Sequence, residues 1–171
     1  GVGGAIYWSG ANGAVFNSKF IYNSASYGGA IRWDGINGTI MGSNFTHNSA
    51  SYGGAVYWSD TGFDGNLKDS IFTNNDAASN AGAVQWSGAN GTLTNSIFTN
   101  NTAKTFGGAI YISTSGISCT LTNSIFIDNS ANDNGGAVCW SGDNGNLNKC
   151  NFTNNNATDG GAVYWSGANG A

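Results

Sequence analysis

Residues 82–101 read Gly82-Ala83-Val84-Gln85-Trp86-Ser87-Gly88-Ala89-Asn90-Gly91-Thr92-Leu93-Thr94-Asn95-Ser96-Ile97-Phe98-Thr99-Asn100-Asn101, and variants of this text fill the chain of 171 residues. Working outward from it, the alanine recurs at Ala5, Ala30, Ala55, Ala83, Ala109, Ala137 and Ala162, a period of 25 to 28 residues. The phenylalanine recurs at Phe20, Phe45, Phe72, Phe98, Phe126 and Phe152. Each is followed three residues later by an asparagine, at Asn23, Asn48, Asn75, Asn101, Asn129 and Asn155. A fixed period in this range means stacked units that bury their apolar faces only against their neighbours.

Within each copy the apolar positions alternate with period two, the mark of strands with one buried face. Ile6 and Trp8, Ile31 and Trp33, Val56 and Trp58, and their equivalents form an inward pair. The residue between them is Tyr7, Arg32, Tyr57, Gln85, Tyr111, Cys139 or Tyr164 in successive copies, a column that is expected to face water because it accepts Arg and Gln. A Ser-Gly-Ala-Asn-Gly type of turn follows, then a strand centred on Val15, Ile40, Leu67, Leu93, Leu121 and Leu147, then the phenylalanine strand. The spacing predicts an all-β fold: a right-handed parallel β-helix of about 26 residues per coil, with three short strands in each coil. Coils about 4.8 Å apart make a rod of roughly 29 Å from six turns. The asparagines are expected at an inward bend, each amide bonded to the next above it in a structural ladder.

Composition narrows the function. Nine Asp, no Glu, four Lys and one Arg give a net charge of −4, without the basic stripe that a phosphate backbone requires, so no nucleic-acid partner is expected. No apolar run approaches a membrane span, so no membrane insertion by this segment is expected. Cys119, Cys139 and Cys150 fall in three different columns and read as free thiols, with neither a zinc nor a disulfide pattern. Residues 1–171 read as a single array of six full coils plus partial terminal coils. Neither end resembles a capping unit, and the expectation is part of a longer array or a protomer that stacks end to end.

Gly-Gly-Ala-Ile/Val alternating with Phe-x-x-Asn resembles the paired motifs of the chlamydial polymorphic outer membrane proteins. The longer consensus is similar to repeats of the adhesin-like surface proteins of methanogenic archaea. The resemblance covers nearly every copy, with Ala81-Gly82-Ala83 and Ile110-Tyr111-Ile112 as departures. It implies a β-helical, extracellular, cell-surface rod engaged in adhesion.

Catalytic and metal-binding patterns are missing from the text. β-Helical polysaccharide lyases and hydrolases cluster carboxylates on an outward strand, whereas the nine aspartates here scatter over bends and edges without a repeated pair. His47 is the single histidine and has no nucleophile in register with it. No cofactor, metal or catalytic residue is expected. The column with Tyr7, Tyr57, Tyr111 and Tyr164 is the candidate for weak, multivalent glycan contact, since tyrosine rings stack on sugars. Six Asn-x-Ser/Thr sequences, at Asn37, Asn44, Asn90, Asn100, Asn151 and Asn156, are candidate N-glycosylation sites, with Asn37, Asn90 and Asn100 on bends the most accessible. The sequence therefore predicts a non-enzymatic extracellular structural or adhesive rod whose partners are copies of itself or further repeats, and host or cell-surface glycans or proteins. The alternative is a carbohydrate-binding module that uses an exposed tyrosine stripe.

Overall fold

The structure, a computed structural model, describes all residues 1–171 and contains strands, bridges and turns but no helix. Successive coils pair through parallel ladders, in register except for one bulge between Ala77 and Asn80. The first sheet joins Ile6–Trp8, Ile31–Trp33, Val56–Trp58, Val84–Trp86, Ile110–Ile112, Val138–Trp140 and Val163–Trp165. The second runs from Ala14–Phe16 to Asn146–Asn148 and the third from Lys19–Ile21 to Asn151–Thr153, each with six strands.

A fourth, five-stranded sheet adds to the three strands expected in each coil. It joins Ser24–Tyr27, Ser49–Tyr52, Asp76–Asn80, Thr102–Ala103 and Ser130–Ala131. Its inward residues are the alanines Ala25, Ala50, Ala77, Ala103 and Ala131, which pair in register from coil to coil. An alanine adds little to a hydrophobic pattern, so a strand that buries only alanine reads in sequence as a bend.

Four corners separate the four sides, and each turns on a residue with positive φ. Asn12, Asn37, Asp64, Asn90, Ser118, Asn144 and Asn169 form the first corner; Asn17, Gly42, Asp69, Asn95, Asn123 and Lys149 the second; Tyr22, His47, Asn74, Asn100, Asp128 and Asn154 the third. At the fourth, glycine serves in every coil but one, where Ala81 has φ 61°. Asn, Asp and Gly dominate because they enter the left-handed region at the least cost. The second glycine of that corner is required by contact: a Cβ on Gly54 would stand 2.1 Å from the carbonyl oxygen of Gly82 in the next coil.

The residue after the second or third corner cannot bond its N–H to a backbone carbonyl of the next coil, and a side-chain oxygen accepts instead. After the second corner this is serine: Ser18, Ser43, Ser70 and Ser96 donate their backbone N–H to the hydroxyl of the serine one coil on, at 3.1–3.2 Å. After the third corner it is asparagine. The Asn75 Oδ1 accepts from the backbone N–H and the Nδ2 of Asn48, both at 3.0 Å. The Asn75 Nδ2 donates to the Asn101 Oδ1 at 2.9 Å and to the Phe45 carbonyl at 3.0 Å. Asn48, Asn101 and Asn129 repeat this pattern, so these amides use both donors and both lone pairs. Asn23 and Asn155 complete the ladder at its two ends.

The dry interior consists of like residues stacked on like. Phe20, Phe45, Phe72, Phe98, Phe126 and Phe152 form an unbroken pile with centroids 4.6–5.0 Å apart and planes within 9°. Trp8, Trp33, Trp58 and Trp86 stack at 4.5–5.1 Å, and Trp140 on Trp165 at 4.4 Å. Each indole lies against a glycine: a Cβ on Gly38 would be 2.3 Å from the Trp33 ring. In the one coil that carries Ile112 instead of tryptophan, the matching glycine is replaced by Cys119, so a smaller inward residue is balanced by a larger one opposite. The exchange leaves a void of about 10 Å³ lined by Trp86, Ile112, Cys119 and Leu121 among others, which holds one water at most.

Two predictions follow from this packing. Ile112→Trp alone collides with Cys119 and costs about 1–3 kcal/mol. Cys119→Gly alone deepens the void, and the double variant recovers most of the loss, with a coupling of at least about 1 kcal/mol in a urea-denaturation cycle. Additive effects there would refute the size exchange. Asn75→Leu leaves the Asn48 N–H and one Asn48 amide hydrogen without partners, removes a donor from the Phe45 carbonyl and destabilises by about 3–6 kcal/mol. Asn74→Gly, one residue away on the exposed corner, changes stability by less than about 1 kcal/mol.

Candidate functional site

The side of the rod formed by the first sheet and the fourth corner carries the densest chemistry. The ladder places Tyr7 beside Arg32, Arg32 beside Tyr57, Gln85 beside Tyr57 and Tyr111, and Cys139 between Tyr111 and Tyr164. The expectation that this whole column faces water is corrected: Gln85 is 7% and Cys139 2% exposed, Tyr57, Tyr111 and Tyr164 are half-buried, and only Tyr7, at 53%, is open. The cover comes from residues that precede the Gly-Gly corner. Tyr27 stacks on Tyr52 at 5.3 Å and meets Tyr57 edge-on at 5.2 Å and 76°. Phe106 leans on Tyr111 at 5.8 Å. Sequence reasoning passed over Tyr27, Tyr52 and Phe106, although an aromatic residue just before Gly-Gly in three coils was the signal that could have found them.

Arg32, the single arginine, is the hub. Its guanidinium carbon lies 5.8, 5.3 and 5.5 Å from the ring centroids of Tyr7, Tyr27 and Tyr57, within cation–π range of all three. Its Nε donates to the Asp34 carboxylate at 2.9 and 3.2 Å, the one salt bridge of the chain. Burial alone would raise the Asp34 carboxyl, but hydrogen bonds from Arg32, Ser59 and Tyr7 and the Arg32 charge together hold it below its ordinary value. With its folded pKa depressed, Asp34 contributes to stability above the ordinary carboxylate range and loses that contribution as the pH falls through the folded value. The Tyr7 hydroxyl is raised, first by its hydrogen bond to Asp34. Burial raises Tyr57 and Tyr111, against hydrogen bonds to Ser87 and Ser141 of the next coil that pull the other way. The glycan candidates are thus unequal in exposure.

The glycosylation candidates lie elsewhere. Asn37 and Asn90 are exposed at the first corner, where their Nδ2 atoms donate to the Asn12 and Asp64 Oδ1 atoms at 3.1 and 3.0 Å. Asn100 is exposed at the third corner. Asn44 is half-buried on the outer face of the third sheet, Asn151 exposed in the same column, and Asn156 exposed beside the fourth sheet. His47 is exposed, stacked on Tyr22 at 4.9 Å and 3.3 Å from the Asn74 Nδ2. No three His, Cys or Asp side chains converge as metal ligands would.

All three cysteines are free. Burial pushes the Cys119 and Cys139 thiols up to about 11 and raises Cys150 as well. Since the thiolate is the reactive form, the folded protein at pH 8 reacts with an aromatic disulfide reagent slowly and at half-buried Cys150 first, whereas urea exposes three thiols at once. Rapid native labelling of Cys139 would contradict its burial in the first sheet.

Comparison with known proteins adds one match. Residues 95–113 and 123–139 fit the family described as the Chlamydia polymorphic membrane protein repeat, well under half of the chain. Both stretches start at a second-corner asparagine and run through the phenylalanine, the ladder asparagine and the Gly-Gly corner into the first sheet. The chain is similar to that repeat over the segment that holds the ladder. No curated protein and no solved structure matches the chain.

Proposed function

We propose that this chain is the coil-forming region of a non-enzymatic, surface-displayed adhesin-like rod. The observation that carries the reading is the unbroken in-register pile from Phe20 to Phe152 with its companion amide ladder, which makes a stiff scaffold and leaves variation to the outside. Similarity to a membrane-protein repeat supports placement at the cell surface. The first and last coils hold the same columns less completely covered: Trp8 and Trp165 are half-buried where Trp33 is fully buried. Further coils, continuous in the same chain or supplied by a second copy, cover those flanks in this reading, and the rod lengthens coil by coil. Glycans attached at Asn37, Asn90 or Asn100 would decorate it.

Contact with carbohydrate through the outward tyrosines is the second reading, favoured by the convergence of Tyr7, Tyr27 and Tyr57 on Arg32.

Electron microscopy and fibre diffraction test the rod. Straight particles of constant width with a meridional spacing near 4.8 Å are expected, with no product released from polysaccharides. Hydrolysis or elimination products that persist with pure protein would overturn the non-enzymatic reading. The intact mass of native material shows added hexose where the glycosylation sites are used, and an unmodified mass removes that part.

A further inference from the structure

We propose that the aromatic corner at Arg32 is a binding site for a neutral sugar unit of an extended glycan. The inference deepens the carbohydrate reading above and rests on it.

Three features of the corner point to this ligand. Tyr27 and Tyr57 stand nearly at right angles, 76° apart with centroids 5.2 Å from each other, and the guanidinium lies at their junction, 5.3 Å from one and 5.5 Å from the other. The rings offer an apolar wall with a hydrogen-bonding base. Arg32 also has capacity to spare: its Nε is committed to Asp34, while neither terminal nitrogen donates to a protein group. Four N–H donors in a planar fork therefore remain for hydroxyl oxygens. Finally, the fork is fixed in advance by the carboxylate and the surrounding rings, so little side-chain freedom is lost when a ligand arrives.

Charge selects a neutral sugar over an acidic one. The single positive charge of Arg32 is offset by Asp34 at 2.9 Å, and Asp60 lies near enough to act on the Tyr57 hydroxyl. A uronate would meet two carboxylates against one guanidinium, which removes the bidentate advantage that an unpaired arginine gives an anion. A pyranose ring spans about 5 Å, close to one inter-coil step of about 4.8 Å, so a chain lying along the rod keeps pace with the coils. The rings form a ridge with no cavity beside it, which favours a flat sugar face over a peptide that needs a groove.

Because Arg32 is the single arginine, its Nε–H signal in a ¹H–¹⁵N spectrum is identified without assignment. The full chain is titrated with cellohexaose, mannohexaose and maltohexaose, with hexagalacturonate and a proline-rich decapeptide as comparisons. A neutral hexaose is expected to shift the Arg32 signal with a dissociation constant of about 1 mM. Arg32→Lys and Tyr27→Ala are expected to weaken binding by about tenfold or more, with circular dichroism and melting temperature showing that the rod persists. Tyr22→Ala, on another corner, leaves binding unchanged. Binding that survives Arg32→Lys overturns this site but leaves the carbohydrate reading standing. Preference for the galacturonate or the peptide overturns the ligand class, a shift elsewhere in the spectrum without one at Arg32 overturns the site alone, and no shift of any signal with any sugar removes both the site and the carbohydrate reading.

Discussion

Parallel pairing at one-coil intervals gives every side chain a counterpart about 4.8 Å above and below it, and that spacing decides which residues the interior accepts. A flat ring fits, since rings about 5 Å apart touch face to face without displacing the backbone. An amide fits because its donor and acceptor ends point in opposite directions along the axis and satisfy the amides on either side. A carboxylate in the asparagine column would set negative oxygens against the Oδ1 of the next coil and lose the donors that reach the phenylalanine carbonyls. Nine aspartates occur in the chain, and none enters the ladder.

The same constraint explains why buried polar columns run beside a core of stacked rings. The second and third corners break the backbone ladder locally, and every unpaired N–H left behind would cost about 1–3 kcal/mol. Ser43 and Asn48 repair two such breaks in one coil by accepting from the coil before. Removing both columns would cost more than an apolar replacement could return, because the backbone groups remain whatever side chain is present. The indoles run the opposite balance: the Nε1 atoms of Trp33, Trp58, Trp86 and Trp140 are buried without partners. There the large apolar area of a stacked indole outweighs an unmade bond. Ile112 avoids that penalty, and Cys119 refills the space.

Legibility in the sequence followed side-chain size and repetition. Phenylalanine, tryptophan and asparagine recur at fixed positions and are large or chemically distinct, so the parallel coil, its length and its inner columns could be read from text alone. The fourth strand could not, because its inward residues, such as Ala50 and Ala77, are buried yet carry almost no hydrophobic signal. The surface was harder still. Arg32 and Gln85 in one column suggested open water, yet part of that column is covered by aromatic residues five positions earlier in the coil, Tyr27 against Tyr57 and Phe106 against Tyr111, which the fourth corner folds back onto the first sheet. Contacts across a corner depend on where the corner turns, and periodicity along a strand does not report that.

A rod of this type divides its sequence into an interior answerable to its own neighbours and an exterior answerable to partners. On the outside, most columns change chemistry from coil to coil: the outward strand position passes from Tyr to Arg to Tyr to Gln, and the first-corner apex from Ala11 to Ile36 to Phe63. Chemistry that requires two or three groups in fixed relation is hard to assemble from such columns, since a neighbour one coil away is set by a different copy of the repeat. The Arg32 corner is the exception because three sides of its geometry come from different registers: Asp34 along its own strand, Tyr7 and Tyr57 from the coils below and above, and Tyr27 across the corner. A solenoid can build a specific site only where strand, ladder and corner contribute together, and in this chain that condition is met around its single arginine.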